Sequence, residues 1–155
     1  MKRLNNKGFS LVEFIIVIAI MAVLVGIVGT QVLPYIDKAK EAKDIQIVTG
    51  YCTDATTAFV SCTDQLDSAK TYTITITKGS SGWTVDVVDD VGTSSTVLKK
   101  AFLDMNSITT EAPNLQSKEG KKITKIIIEC KHGTLTTKLT VEGPQDPSAF
   151  EAETK

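Results

Sequence analysis

The sequence predicts an α+β protein in which one long N-terminal α-helix, its apolar half protruding, packs on a small antiparallel sheet of about four strands. Three observations carry that expectation. Residues 14–33 are apolar apart from two glycines, Thr30 and Gln31. Beyond them Ile45, Val48, Cys52, Ala55, Phe59, Cys62 and Leu66 recur at steps of three and four, the stripe of an amphipathic helix. From residue 71 onward the period falls to two, in two hairpin-like segments.

The chain of 155 residues allows one domain of ordinary size plus an anchor. Its mean hydropathy of +0.06 is high for a soluble domain because the apolar residues crowd into the first quarter. Of 17 basic residues three (Lys2, Arg3 and Lys7) precede Phe9, so the remainder carries 14 bases against 18 acids. That acidic balance, with no clustered basic face, argues against direct nucleic-acid binding.

The apolar run has the length of about 20 residues that crosses a bilayer core as a helix. Lys2, Arg3 and Lys7 flank its start, which puts that end in the cytoplasm and the rest outside. A cleavable secretory signal would have an apolar region of about 7–15 residues followed by a small-residue cleavage site. This run is longer and flows into a helical pattern instead. A plain transmembrane anchor fits the length but leaves Glu13 without a purpose. On insertion scales an ionised carboxylate in lipid costs about 2.5–3.5 kcal/mol.

The stretch Lys7-Gly8-Phe9-Ser10-Leu11-Val12-Glu13-Phe14, followed by the apolar run, closely resembles the processing signature of type IV pilins. The resemblance covers Lys7 to about Pro34, roughly a fifth of the chain; beyond that it rests on architecture. It implies a pilin-like fold and a bacterial source. It also implies cleavage between Gly8 and Phe9 by a prepilin peptidase on the cytoplasmic face, with residues 1–8 as leader and the new amine of Phe9 methylated. Glu13 then acquires a use, because in this family the carboxylate attracts the N-terminal amine of a neighbouring subunit as it docks. A charge that is costly alone in lipid becomes favourable once paired there, since low dielectric strengthens the attraction. Before assembly the same side chain reaches the headgroup layer.

The helix is expected to run from Phe9 to about Thr63. Residues 9–36 form its membrane and filament-core half, and residues 37–66 its amphipathic continuation. Gly26, Gly29 and Pro34 mark a weak segment, each glycine by about 1 kcal/mol relative to alanine and the proline through its missing donor. Residues 37–44 are charged, with Lys40 and Asp44 spaced for an i,i+4 pair. Residues 67–142 form the β-rich head. In it Tyr72, Ile74 and Ile76 alternate with threonines, Lys78 to Gly82 turn the chain, and Trp83, Val85 and Val87 alternate on the way back. Ser94-Ser95-Thr96 offers N-caps for a short helix with Val97, Leu98, Ala101, Phe102 and Met105 on one side. Residues 106–120 are polar and predict a loop. A second hairpin sets Ile126, Ile128 and Cys130 against Leu135, Thr137, Leu139 and Val141, with a turn at His132-Gly133. Residues 143–155 form a polar tail, expected to be mobile or to lie along the surface.

Three cysteines are too few for a disulfide scaffold. Cys52 and Cys62 stand about 15 Å apart on one helix, beyond bridging distance. A bridge from Cys130 to Cys52 or to Cys62 is open, and so is the alternative of three buried thiols. Pilins that close a C-terminal loop use two cysteines there, and this chain has Cys130 alone. His132, the single histidine, falls in a turn with no partners at metal-ligand spacing. No catalytic arrangement, metal site or cofactor motif is read.

The reading is therefore a non-enzymatic structural subunit, a major pilin. It would be inserted in the cytoplasmic membrane, processed, and passed by the pilus assembly machinery into a homo-oligomeric helical filament at the cell surface. A pseudopilin of a type II secretion or competence system shares the first 34 residues. A membrane-anchored binding domain that does not polymerise is the rival of another class. Adhesion, twitching motility and DNA uptake are not told apart by these motifs.

Overall fold

The structure is a computed structural model that describes residues 10–106, 113–131 and 136–154. The chain divides into two compact units, Met1–Lys38 and Ala39–Lys155. A helical run extends over Leu11–Ser61. It consists of α1 (Leu11–Ile27), a π-helical segment Val28–Val32, and α2 (Leu33–Ser61). The second unit holds α3 (Thr96–Met105) and the strands β1 (Thr71–Gly79), β2 (Gly82–Asp89), β3 (Lys125–Lys131), β4 (Thr136–Glu142) and β5 (Ala152–Thr154). The long helix and the antiparallel sheet make this the expected α+β, pilin-like fold.

The sheet is antiparallel throughout, in the order β2-β1-β3-β4-β5. Its register follows from period-two burial. Ile74 lies opposite Val87 on one side and Ile128 on the other, and Ile76 lies between Val85 and Ile126. All of these are buried, whereas the intervening threonines of β1 are half-exposed. A one-residue slip would bring the threonines inward and the isoleucines out, so burial fixes the pairing. The hairpin β1–β2 closes with Gly79 opposite Gly82, and Gly82 takes φ +142°, a conformation that side chains disfavour.

The stripe on α2 covers this inner face. Val48, Cys52, Ala55 and Phe59 are buried, with Phe59 tilted against Tyr72 at 6.1 Å between ring centroids. The interior threonines of α2 satisfy their hydroxyls on the preceding turn; Thr56 donates to the Cys52 carbonyl at 2.8 Å and Thr57 to that of Thr53 at 2.9 Å. At the start of α3 the Ser95 hydroxyl accepts from the N–H of Leu98, as its N-cap reading predicts. Leu98 and Phe102 enter the core, while Val97 and Met105, expected on the same side, are exposed. A ten-residue helix on a surface buries a narrower stripe than the sequence pattern offered.

Two features depart from the sequence reading. The tail is docked, because Pro147–Phe150 form a 3₁₀ turn capped by Asp146, Phe150 is buried in the core, and β5 pairs with β4. The 3₁₀ turn aims the one aromatic of an otherwise polar segment inward, and that single anchor outweighs its polarity. Gly143, at φ +119°, passes so close to the Lys122 carbonyl that a Cβ there would collide with it.

The second is Asp44, which the sequence offered for an i,i+4 pair with Lys40 and which is fully buried. Its carboxylate accepts from the backbone N–H groups of Gln116 at 2.9 Å and Ser117 at 2.7 Å, tying α2 to the loop that precedes β3. The Ser117 hydroxyl accepts in turn from Gly120 N–H at 2.8 Å, and Gly120 lies where a Cβ would strike Asp44. Residues 107–112 of the expected loop, and the expected turn at His132-Gly133 with Leu135, lie outside the described residues.

Three outcomes follow for urea unfolding. Asp44→Ala, which orphans the buried Ser117 N–H and the partly buried Gln116 N–H, lowers stability by about 3 kcal/mol. Phe150→Ala lowers it by about 3–5 kcal/mol, as for other buried aromatics. The third is a pH dependence set by Lys70 and Asp89, 2.6 Å apart. The Lys70 ammonium, helped by the N–H groups of Thr93 and Val91, holds the Asp89 carboxyl below the usual range, and Asp89 raises Lys70. The carboxylate contribution is present above the unfolded aspartate value of about 3.9 and is lost as pH falls through the lower folded value. The lysine contribution is present below about 10.4 and is lost as pH rises through its raised value. Wild-type stability therefore falls more steeply than that of Asp89→Asn on acidification below about pH 4; parallel curves would refute the assignment.

Candidate functional site

The segment singled out by its motif is the start of the helix. Ser10 has extended backbone at φ −72° and ψ 139°, and α1 begins at Leu11. The Ser10 N–H donates to the Glu13 carboxylate at 2.9 Å, the reach-back contact of a capping box. An acid in the first turn is also favourable to the helix dipole. So in the uncleaved chain Glu13 is held by its own helix end, which offsets part of the cost of placing a carboxylate beside an apolar run. Gly8 and Phe9 lie outside the described residues.

No residue of α1 is buried. The consecutive residues Phe14, Ile15, Ile16 and Val17, which point to successive sides of the helix, are each about half exposed. A helix apolar all round is stable only within lipid or within other protein. This is the one described helix long and apolar enough to cross a membrane.

Between Gly26 and Pro34 the helix takes a π turn over Val28–Val32. Pro34 has no N–H to offer the carbonyl four residues earlier, that of Thr30, and its ring crowds it. A π turn is the usual local answer to such a misfit. The Thr30 hydroxyl donates to the Gly26 carbonyl at 3.0 Å. No atom beyond the local helix lies within 4 Å of where a Cβ would sit at Gly26 or Gly29. Their absent side chains make no room for another part of this chain. A shallow cleft of about 310 Å³ is lined by Thr30, Gln31, Pro34, Tyr35 and Lys38.

Residues 3–29 match the family model described as the prokaryotic N-terminal methylation motif. The chain carries the class III signal of type IV pilins. No curated protein and no solved structure matches it significantly. The motif supports a type IV pilin-like protein, pilin or pseudopilin, and it implies processing by a prepilin peptidase in the setting of pilus assembly. The motif and the apolar helix also suit anchoring in a membrane.

The three cysteines of this pilin-like chain converge on the core of the second unit as buried thiols. No bridge joins Cys130 to Cys52 or Cys62 in this structure. Burial, with the neighbouring Cys52 adding to it, pushes the Cys130 thiol up to about 12, against a hydrogen bond with Thr137 that lowers it. Thr137 lies opposite Cys130 in the sheet, and its hydroxyl is 2.8 Å from that of Thr56. That pair is a polar tie between α2 and β4 that no sequence period announced. Among the described residues no cluster of three or more metal-ligating side chains occurs.

Iodoacetamide at about pH 8 is expected to leave Cys130 of the native chain unmodified, since a thiol raised this far carries almost no thiolate there. After unfolding without reductant, labelling of all three cysteines would mean three thiols, and labelling of one would mean that a bridge forms in the native protein.

Proposed function

We propose that the chain is a structural subunit of a type IV pilus and, within that, a major pilin. On this reading prepilin peptidase cuts between Gly8 and Phe9 and methylates Phe9. The helix holds the protein in the cytoplasmic membrane, and the assembly machinery then moves it into a surface filament. The observation that carries the proposal is the fully exposed α1 behind a processing motif. Withdrawn from lipid, its apolar surface must be covered by the same surface of other copies, because water around it is unfavourable by about 25 cal/mol per Å².

Glu13 sets the order of events. Its carboxylate caps α1 in the uncleaved chain, and after cleavage a methylated, positively charged Phe9 amine on an adjoining copy becomes the stronger partner. Pairing of that kind fixes one axial offset between copies, a registry role for which buried polar pairs are known. Gly26, Gly29 and Pro34 would let the helix loosen at the π turn as copies pack. The pseudopilin reading shares all of these residues and differs in abundance, since a major pilin dominates sheared surface material.

Intact-mass and N-terminal analysis of the native protein is expected to show a chain beginning at Phe9 and heavier by one methyl group. A chain beginning at Met1 in surface material would overturn the processing. Glu13→Ala is expected to leave cleavage unchanged and to lower filament yield by about ten-fold or more, the scale of a lost buried charge pair. Wild-type yield from that variant would exclude the assembly role.

A further inference from the structure

The second unit is electrically polarised from end to end. One end is defined by Asp44, with the Gln116–Gly120 loop fixed to it and Lys78 reaching the Lys121 carbonyl at 3.5 Å. The other is defined by Tyr72, which lies against Phe59, accepts from the Asp67 N–H at 3.0 Å, and pairs across the sheet with Asp89. At the Asp44 end Lys43, Lys78, Lys118 and Lys121 are exposed and in no ion pair among the described residues. Lys122 and Lys125 there are occupied by Glu119 at 2.7 Å and Glu142 at 3.3 Å. At the Tyr72 end Asp64, Asp67, Asp90 and Asp104 are exposed and likewise unpaired among the described residues. Asp104 faces a cleft of about 320 Å³ shared with Ser61, Gln65 and Lys100. With Glu41, Asp44 and Asp146 set against the four unpaired lysines of the first end, and Lys100 and Lys131 against the four aspartates of the second, an excess of one positive charge remains at one end and of two negative charges at the other.

We propose that these two ends are complementary docking surfaces for each other, the lysine-rich end of one copy meeting the aspartate-rich end of the next. This rests on the filament reading. Copies related by rotation and translation along one axis all point the same way, so the contact is heterologous and joins unlike ends. Two lysine-rich ends would meet only in an inverted arrangement, which that symmetry excludes. The buried Asp44 gives the surface its shape, because it fixes the backbone that carries Lys118 and Lys121. Complementary charge of this sort acts mainly on register and on rejection of wrong partners. At a Debye length of about 8 Å it also operates only at close approach.

The test is a charge exchange in the full chain, read as filament yield from native cells. Lys118→Glu with Lys121→Glu is expected to lower the yield by about five-fold or more, and Asp64→Lys with Asp104→Lys to do the same. All four together should return it to within about two-fold of wild type, because each end then meets its new opposite. The rescue guards against misfolding, since two destabilised surfaces would compound rather than cancel. Four-fold variants that remain defective, or single-end variants that assemble normally, overturn the proposal. Loss with the lysine changes alone also overturns it and points instead to an anionic lipid surface. Absence of filaments from the wild-type chain would sink the filament reading; normal wild-type yield without rescue sinks only the end-to-end contact.

Discussion

A single stretch of helix has to satisfy two environments, and most of the molecule answers to that demand. In Leu11–Ile27 the backbone hydrogen bonds are all internal and every side chain is left for an apolar surrounding. From Val48 onward the same kind of backbone buries one stripe against a sheet and gives the other side to water. The sheet, its register and α3 are arranged around that stripe. The first half has no counterpart within the described chain, which is why its function concerns what lies outside the molecule. Glu13 is the exception in the apolar part, and its bond to the Ser10 N–H shows how the exception is tolerated.

The two periods in the sequence were sufficient for the helix, the four longer strands and the inward residues Ile74, Ile76, Ile126 and Ile128. Those elements are specified by many residues acting together, so the pattern survives local noise. Asp44, Phe150 and the Thr56–Thr137 contact were not legible because each depends on a single pairing across long separation in the chain. Asp44 in a run of lysines and acids resembles any solvated charge. Only the backbone of residues 116 and 117, seventy positions later, turns it into a buried anchor. The spacing Asp44…Gly120 carries no period that a one-dimensional reading detects. The processing motif itself was legible because its chemistry is local, with fixed offsets between glycine, phenylalanine and glutamate.

The C-terminal region shows how a fold replaces a covalent fastening with several weaker ones. Where a pair of cysteines would close the loop, this chain inserts Phe150, adds three pairs of β5 to β4, and holds Gln145 N–H on Glu119 at 2.9 Å. Glu119 also pairs with Lys122, and together they hold its carboxyl below the usual range. These contacts need no oxidant. They also leave the cysteines to serve as small apolar packing beneath the sheet.

Phe150 has a consequence for the order in which the protein comes into being. A chain is made from its N-terminus, so of the described core side chains Phe150 is the last to emerge. Until it does, the slot it fills stands open and β4 presents a bare edge, since β5 follows only two residues later. Bare edges invite pairing with other chains. The newborn head is thus most adhesive just before completion, and the same few residues that finish the core also close the side from which unwanted neighbours would add.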